Sequence, residues 1–264
     1  MFVTRLISGI ILVAAALVTI ISGGWVLYFT VLALSLIGVF ELYRACGVRN
    51  KEGGFSRLEL TGYLGVILYY IALRIGNKEY LVLSLIAALV LIMFVYVFSF
   101  PHYEAKQVMA CFFALVYVAV MLSYIYKTRI LPGGYYHVWL IFLCSWGCDT
   151  CAYCVGRLFG RHKMAPVLSP KKSTEGAVGG VAGAVILGVI YALFTGGPVL
   201  VYAAICGIGA LISMVGDLAA SAIKRNVQIK DYGKLIPGHG GILDRFDSVI
   251  FTAPVIYFLS LVLI

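Results

Sequence analysis

Between Ser213 and Ser248 the chain places four aspartates, five Lys or Arg and one His within 36 residues, in a sequence that is 62% hydrophobic. The stretch begins and ends inside apolar runs, so Asp217 at one end and Asp244 and Asp247 at the other fall at membrane depth. A charge at that depth is costly and usually functional. Asp217 has Ser213 at i−4, Ser221 at i+4 and Lys224 at i+7, which places all four on one face of a helix. Asp244 and Asp247, three apart, share another face. Hard carboxylate oxygens of this kind select Mg²⁺ or Mn²⁺. Between the two sets, Pro237-Gly238-His239-Gly240-Gly241 is a turn whose glycines let backbone N–H groups face an anion. Lys224, Arg225, Lys230, Lys234 and Arg245 bring countercharge. Metal ions held against phosphates are the chemistry this set suits. Any single member also fits a basic loop with paired helix-end acids. The set as a whole fits that poorly, because intramembrane acids are rare.

A second basic segment lies upstream. Asp149, Ala152, Tyr153 and Gly156 share one helix face, a small-residue track beside an intramembrane acid. Arg157, Arg161, His162, Lys163, Lys171 and Lys172 follow, with no acid before Glu175. Ser169-Pro170-Lys171-Lys172-Ser173-Thr174-Glu175-Gly176 then opens another span, with Ser173 or Thr174 as its expected N-cap. A helix N-terminus flanked by two lysines attracts anions. Taken alone, the segment reads equally as a positive-inside loop with an ordinary cap.

Ser221-x-Ile-Lys-Arg-x4-Lys-Asp-x-Gly-x2-Ile-Pro-Gly-His-Gly-Gly-Ile-x-Asp-Arg-Phe-Asp247 spans 27 residues and resembles, without a gap, the signature of the CDP-diacylglycerol synthases, the phosphatidate cytidylyltransferases. The run Asp149-x2-Ala-Tyr-x2-Gly-Arg-x-Phe-Gly-Arg followed by Ser-Pro-Lys-Lys-Ser-x-Glu-Gly is similar to the same family. That resemblance implies metal roles for the aspartates, CTP and phosphatidic acid as substrates, and a homodimer.

The elements that must position these residues are membrane helices. With 264 residues and a mean hydropathy of +1.03, the chain reads as all-α and polytopic. About nine spans are expected, at 5–22, 25–44, 59–75, 79–100, 107–126, 137–157, 176–194, 198–223 and 246–263, each of bilayer-crossing length. The apolar core of the first is too long for a signal peptide, and no A-x-A-like site precedes Trp25. With the N-terminus cytoplasmic and the C-terminus outside, 16 of the 20 Lys and Arg fall on the cytoplasmic side, as the positive-inside rule requires. Residues 1–135, spans one to five, then form a scaffold. Residues 136–264, spans six to nine with cytoplasmic loops 157–176 and 224–245, form the catalytic bundle. Within the scaffold Glu41 is the exception to an apolar pattern, and pairing with Arg44 at i+3 is its expected role. Cys144, Cys148, Cys151 and Cys154 lie along one side of a helix, with Asp149 on the other, and read as packing. Gly176, Gly179, Gly180 and Gly183 allow close helix approach.

The net charge of +9 belongs to cytoplasmic loops, and no soluble surface exists for a nucleic-acid platform. The expected reaction is cytidylyl transfer from CTP to phosphatidate. Asp217, Asp244 and Asp247 hold Mg²⁺, with or without a second metal ion, in this reading. Ser221, Lys224 and Arg225 bind phosphates beside them. His239, Gly240 and Gly241 cradle the triphosphate or pyrophosphate, although His239 reads equally as a hydrogen-bonding loop residue. Asp149, Ser169, Lys171, Lys172, Lys230, Asp231 and Arg245 complete the substrate contacts. The expected setting is the lipid bilayer of a bacterial-type inner (plasma) membrane, with the site facing the cytoplasm. Two other readings use the same parts: a CTP-dependent polyprenol- or phytol-type lipid kinase, which must deprotonate a hydroxyl, and a secondary transporter, whose polar residues should spread over two repeats.

Overall fold

A computed structural model describes residues 2–49, 54–238 and 240–264. Among these, the expected spans appear in order as helices α1 (Phe2–Ser22), α2 (Gly24–Ala45), α3 (Arg57–Ile75), α4 (Lys78–Phe98), α5 (Ala105–Arg129) and α6 (Gly134–Phe159). A short antiparallel hairpin, β1 (Lys163–Ala165) and β2 (Ser169–Ser173), follows where only a loop was expected. Then come α7 (Thr174–Thr195), α8 (Val199–Asn226) and α9 (Leu243–Leu263). Among the described residues the eight helices α2 to α9 are long and apolar enough to cross a membrane, and the described apolar part of α1, Ser8–Ser22, is shorter.

Local chemistry sets several helix ends. The Ser56 and Ser173 hydroxyls accept the amides of Glu59 and Gly176 at 3.0 and 3.1 Å, which satisfies first-turn donors. Ser173 is one of the two caps expected from sequence. Helix α7 closes on Gly196 in the left-handed region, at φ 68°, where a side chain would be strained. Helix α8 continues three residues past its expected end. That extension keeps Asp217, Ser221, Lys224 and Arg225 on one continuous element. Helix α9 starts three residues early and takes Asp244 into its first turn. Two π-helical segments interrupt α5 at Leu115–Val120 and α6 at Leu143–Gly147. Such insertions recur at functional sites. Tyr117 lies in the first, and the second ends two residues before Asp149.

One buried core runs through both halves of the chain, from Ile20 of α1 to Ile256 of α9. Helix α4 lies at its margin and exposes Val82, Leu83, Met93 and Val97. Around the polar residues the helices approach closely. A Cβ added to Gly180 would sit 3.0 Å from the Cys148 Sγ, and one at Gly183 would sit 2.5 Å from the Cys151 Sγ. Gly188 meets Cys206 and Gly209 meets Cys144 in the same way, at 2.7 and 2.5 Å. These thiols therefore fill glycine notches between helices. Lipid tails are as apolar as the helix surfaces, so association depends on this close contact rather than on expelling water.

Gly183→Ala is expected to cost about 1–3 kcal/mol through overpacking, read as a lower Tm in detergent. Moving the small residue across the contact, by adding Cys151→Gly, should restore stability. A double variant no more stable than Gly183→Ala would show that the two positions do not share this space.

Candidate active site

The loop between α8 and α9 is fixed by two buried carboxylates. Asp244, 6% exposed, accepts the amides of Tyr232, Gly241 and Gly233 on Oδ2 at 2.8, 2.9 and 3.4 Å. Its Oδ1 accepts the Lys224 ammonium at 2.9 Å. Glu41 of α2, 2% exposed, accepts the amides of Ile242 and Leu243 at 3.0 and 2.9 Å. These are among the donors a helix start leaves without intrahelical partners, at the end where a negative charge is favoured. The expected Glu41–Arg44 pair is not formed. Arg44 instead donates to the carbonyl of Tyr232, whose hydroxyl reaches the Ala220 carbonyl of α8 at 3.1 Å. Glycine is required where the loop passes Glu41, because a Cβ on Gly233 or Gly241 would lie 2.1 or 2.2 Å from its carboxylate.

A second acidic group gathers from three helices. Asp149 of α6 accepts the Ser248 hydroxyl at 3.3 Å, and the Ser248 amide donates to Asp247 of α9 at 2.8 Å. The charges of Asp217 and Asp149 both reach Asp247. Asp217 of α8 pairs with Lys172 of β2, and Ser221 lies 3.5 Å from its Oδ1. The Tyr117 hydroxyl is buried without a hydrogen-bond partner and lies within electrostatic range of Asp247 and Asp217. The buried Ser213 hydroxyl, one turn before Asp217, also lacks a partner. Among the described residues, no three His, Cys, Asp or Glu side chains stand as a ready-made metal cage.

The structure thus brings Asp217 and Asp247 together with Asp149, and turns Asp244 to the loop instead. Strand alternation separates the two hairpin lysines: Lys172 is half-buried on Asp217, while Lys171 is exposed and Ser169 is half-buried at the strand start. Lys230, Asp231, Gly240 and Arg245 line a polar cavity of about 700 Å³ with Lys234, Ile236 and Pro237. The Gly241 amide faces Asp244 and not this cavity. Arg225 is exposed at the end of α8, and His239 lies outside the described residues. Arg245 also lies within electrostatic range of Asp149, and its carbonyl accepts the Trp146 indole N–H at 3.2 Å. Sequence reasoning missed Tyr117, Trp146 and the partner of Glu41. An acid isolated in an apolar run was the one available signal, but its partners lie about 200 residues away.

A bundle of helices long and apolar enough to cross a membrane, with acids and lysines converging from α6, α8, α9 and a hairpin, defines an integral membrane protein of the polytopic helical class. The chain belongs to the cytidylyltransferase family, whose model matches residues 3–263. It is 32% identical over 257 residues to a phosphatidate cytidylyltransferase of Staphylococcus saprophyticus, covering 96% of each chain. Its identity to proteins of the same name is 31% over 258 residues in Staphylococcus haemolyticus and 32% over 256 residues in Staphylococcus aureus strain COL, again with 96% of each chain covered.

Breaking one side of a buried ion pair costs about 3–5 kcal/mol, because the other charge is left uncompensated. Asp244→Asn and Lys224→Met are each expected to lower the Tm sharply, and the double variant by much less than the sum. Additive losses would show that the two side chains do not depend on each other.

Proposed function

We propose that this chain transfers the cytidylyl group of CTP to phosphatidate, forming CDP-diacylglycerol and pyrophosphate. The convergence of Asp149, Asp217 and Asp247 beside Lys172 carries the reading, in a member of the cytidylyltransferase family. A phosphate monoester is already anionic near neutral pH and needs no general base. Its oxygen attacks the α-phosphorus of CTP, the bond to the β-phosphate oxygen breaks, and the electron pair leaves with pyrophosphate. The obstacle is repulsion between two polyanions, so the site must supply countercharge and in-line alignment.

Cations flank the carboxylates on two sides, Lys171 and Lys172 on the hairpin and Lys230, Lys234 and Arg245 around the polar cavity. Two sets suit two phosphate-bearing substrates. Lys172 pairs with Asp217, and its ammonium can exchange that carboxylate for a phosphate oxygen. Asp149, Asp217 and Asp247 are the residues that would hold Mg²⁺, one ion or two. All are hard oxygen donors, and the partnerless Tyr117 hydroxyl beside them leaves room for a further oxygen contact. Asp244, whose oxygens accept four protein donors, is assigned in this proposal to holding the loop rather than the ion. When bound, such an ion neutralises phosphate oxygens and stabilises the leaving pyrophosphate. The positive-inside rule supports a cytoplasmic site through the basic loops; in this reading residues 136–264 carry the chemistry and the N-terminal half lends Glu41 and Arg44.

The direct test is incubation in phosphatidate micelles with Mg²⁺ and CTP labelled on the α-phosphate. Label in the lipid with equimolar pyrophosphate is expected. Labelled CDP in solution and an unlabelled lipid would mean γ-phosphoryl transfer instead and would overturn the proposal.

Asp149→Asn, Asp217→Asn and Asp247→Asn should each lower turnover by about 10²–10³-fold, the range for a lost electrostatic contact to a transition state, with Tm retained. Wild-type turnover should stop when divalent cations are chelated and return with Mg²⁺. Persistence after chelation would remove the metal role.

A further inference from the structure

Two cavities meet at the glycine-rich loop. The basic one, described above, is lined by the loop itself and by Arg245. The other, about 370 Å³, is apolar and runs between α1, α2 and the loop, where Ile11, Ala15, Leu27, Val31 and Phe246 wall it. Ile236 and Pro237 line both cavities. The Ser8 hydroxyl donates to the Pro237 carbonyl at 3.0 Å, which ties the start of the described part of α1 to this junction. From Ser8 to Thr19, both at the apolar cavity, α1 rises about 16 Å at 1.5 Å per residue. The apolar cavity therefore descends from the loop well into the depth of the bundle. Leu27, Val31 and Phe246 form its buried wall, and Ile11 on α1 is 62% exposed. Helix α1 packs mainly on α2 and touches α6, so the α1 side is the less covered wall of the shaft.

A shaft with almost no polar group has nothing to offer a nucleotide. A cavity lined by Lys230, Lys234 and Arg245 with a single carboxylate, Asp231, suits a phosphate. We propose that the joined pair is the phosphatidate site: one acyl chain lies in the apolar shaft along α1, and its phosphate sits in the basic cavity above Pro237. The assignment rests on the proposed reaction and sharpens it. The loop cations take the lipid phosphate, and Lys171 and Lys172 of the hairpin are left to the nucleotide. The carboxylate group lies between the two, with Arg245 within electrostatic range of Asp149 on the loop side and Lys172 paired with Asp217 on the hairpin side.

Ala15 lines the shaft seven residues beyond Ser8, deeper than a hexanoyl chain reaches from the loop. Ala15→Trp should obstruct a long chain and not a short one. Forcing a chain past an overpacked side chain costs about 1–3 kcal/mol, so kcat/KM for dioleoyl phosphatidate should fall about tenfold relative to dihexanoyl phosphatidate, with KM for CTP unmoved. Leu17→Trp, on an outward part of α1 that does not line the shaft, should leave that ratio as in the wild type. If the wild type converts neither lipid, the proposed reaction itself fails. If it converts both and Ala15→Trp leaves the ratio unchanged, the acyl-chain assignment alone is overturned. Loss of an oligomer in Ala15→Trp, read by native mass, with an unchanged ratio gives the shaft to a second copy of the chain and overturns it too.

Discussion

The structure depends on what it costs to keep a carboxylate inside a helix bundle. An ionised acid away from water must be compensated by several donors at once, or several kcal/mol are lost. Asp244 meets that demand with Lys224 and three backbone amides drawn from both ends of the loop between α8 and α9. Glu41 meets it with the two amides that open α9. Each hydrogen bond to a charged group contributes roughly 1.5–3 kcal/mol, and none can be released without stranding its acid. The loop is glycine-rich in sequence yet cannot behave as a free loop. Its glycines at 233 and 241 serve close approach to Glu41 rather than mobility.

The same accounting separates two kinds of acid. Asp244 has four protein donors on its two oxygens, and Glu41, 2% exposed, takes one helix-start amide on each oxygen inside the core. Asp149, Asp217 and Asp247 each have fewer fixed partners than Asp244, and share one serine hydroxyl, one serine amide, one lysine that sits on a strand rather than in the core, and one long serine contact. Like charges brought together from three helices with so little compensation are why the proposed cation is assigned to them. The first pair of acids fixes the frame against which this second group is held. Electrostatic catalysis requires such a frame, since groups that must reorient during reaction lose much of their effect.

Sequence made the helices legible because span length and hydropathy are local properties, and it made the Ser173 cap legible for the same reason. It also placed Asp217, Ser221 and Lys224 on one helical face. The division between Asp244 and Asp247 was not legible. Three residues apart on a helix, they read as neighbours, but Asp244 falls in the first turn, where the loop's own amides are in reach. The pairing of Glu41 was hidden by chain distance, since a local i+3 arginine offered a simpler partner. Lys171 and Lys172 read as equivalent because Ser-Pro-Lys-Lys-Ser carries no alternating apolar signal for a strand. The π-helical segments in α5 and α6 shift every later side chain around the axis, and no residue type announces them. Tyr117 was missed for that reason.

The two halves of the molecule divide a problem that neither bilayer nor cytosol solves alone. A lipid phosphate is anchored by its chains at the interface, and a nucleotide triphosphate is held in water by its charge. Bringing them into line requires a surface that is apolar on one side of a boundary and strongly cationic on the other. Ile236 and Pro237 stand at that boundary, shared by the apolar shaft and the basic cavity. They can define it only because Asp244 and Glu41 hold the loop at a fixed height against α2 and α9. A carboxylate buried in α2 thus sets, through the loop it holds, where the apolar shaft ends and the cationic cavity begins.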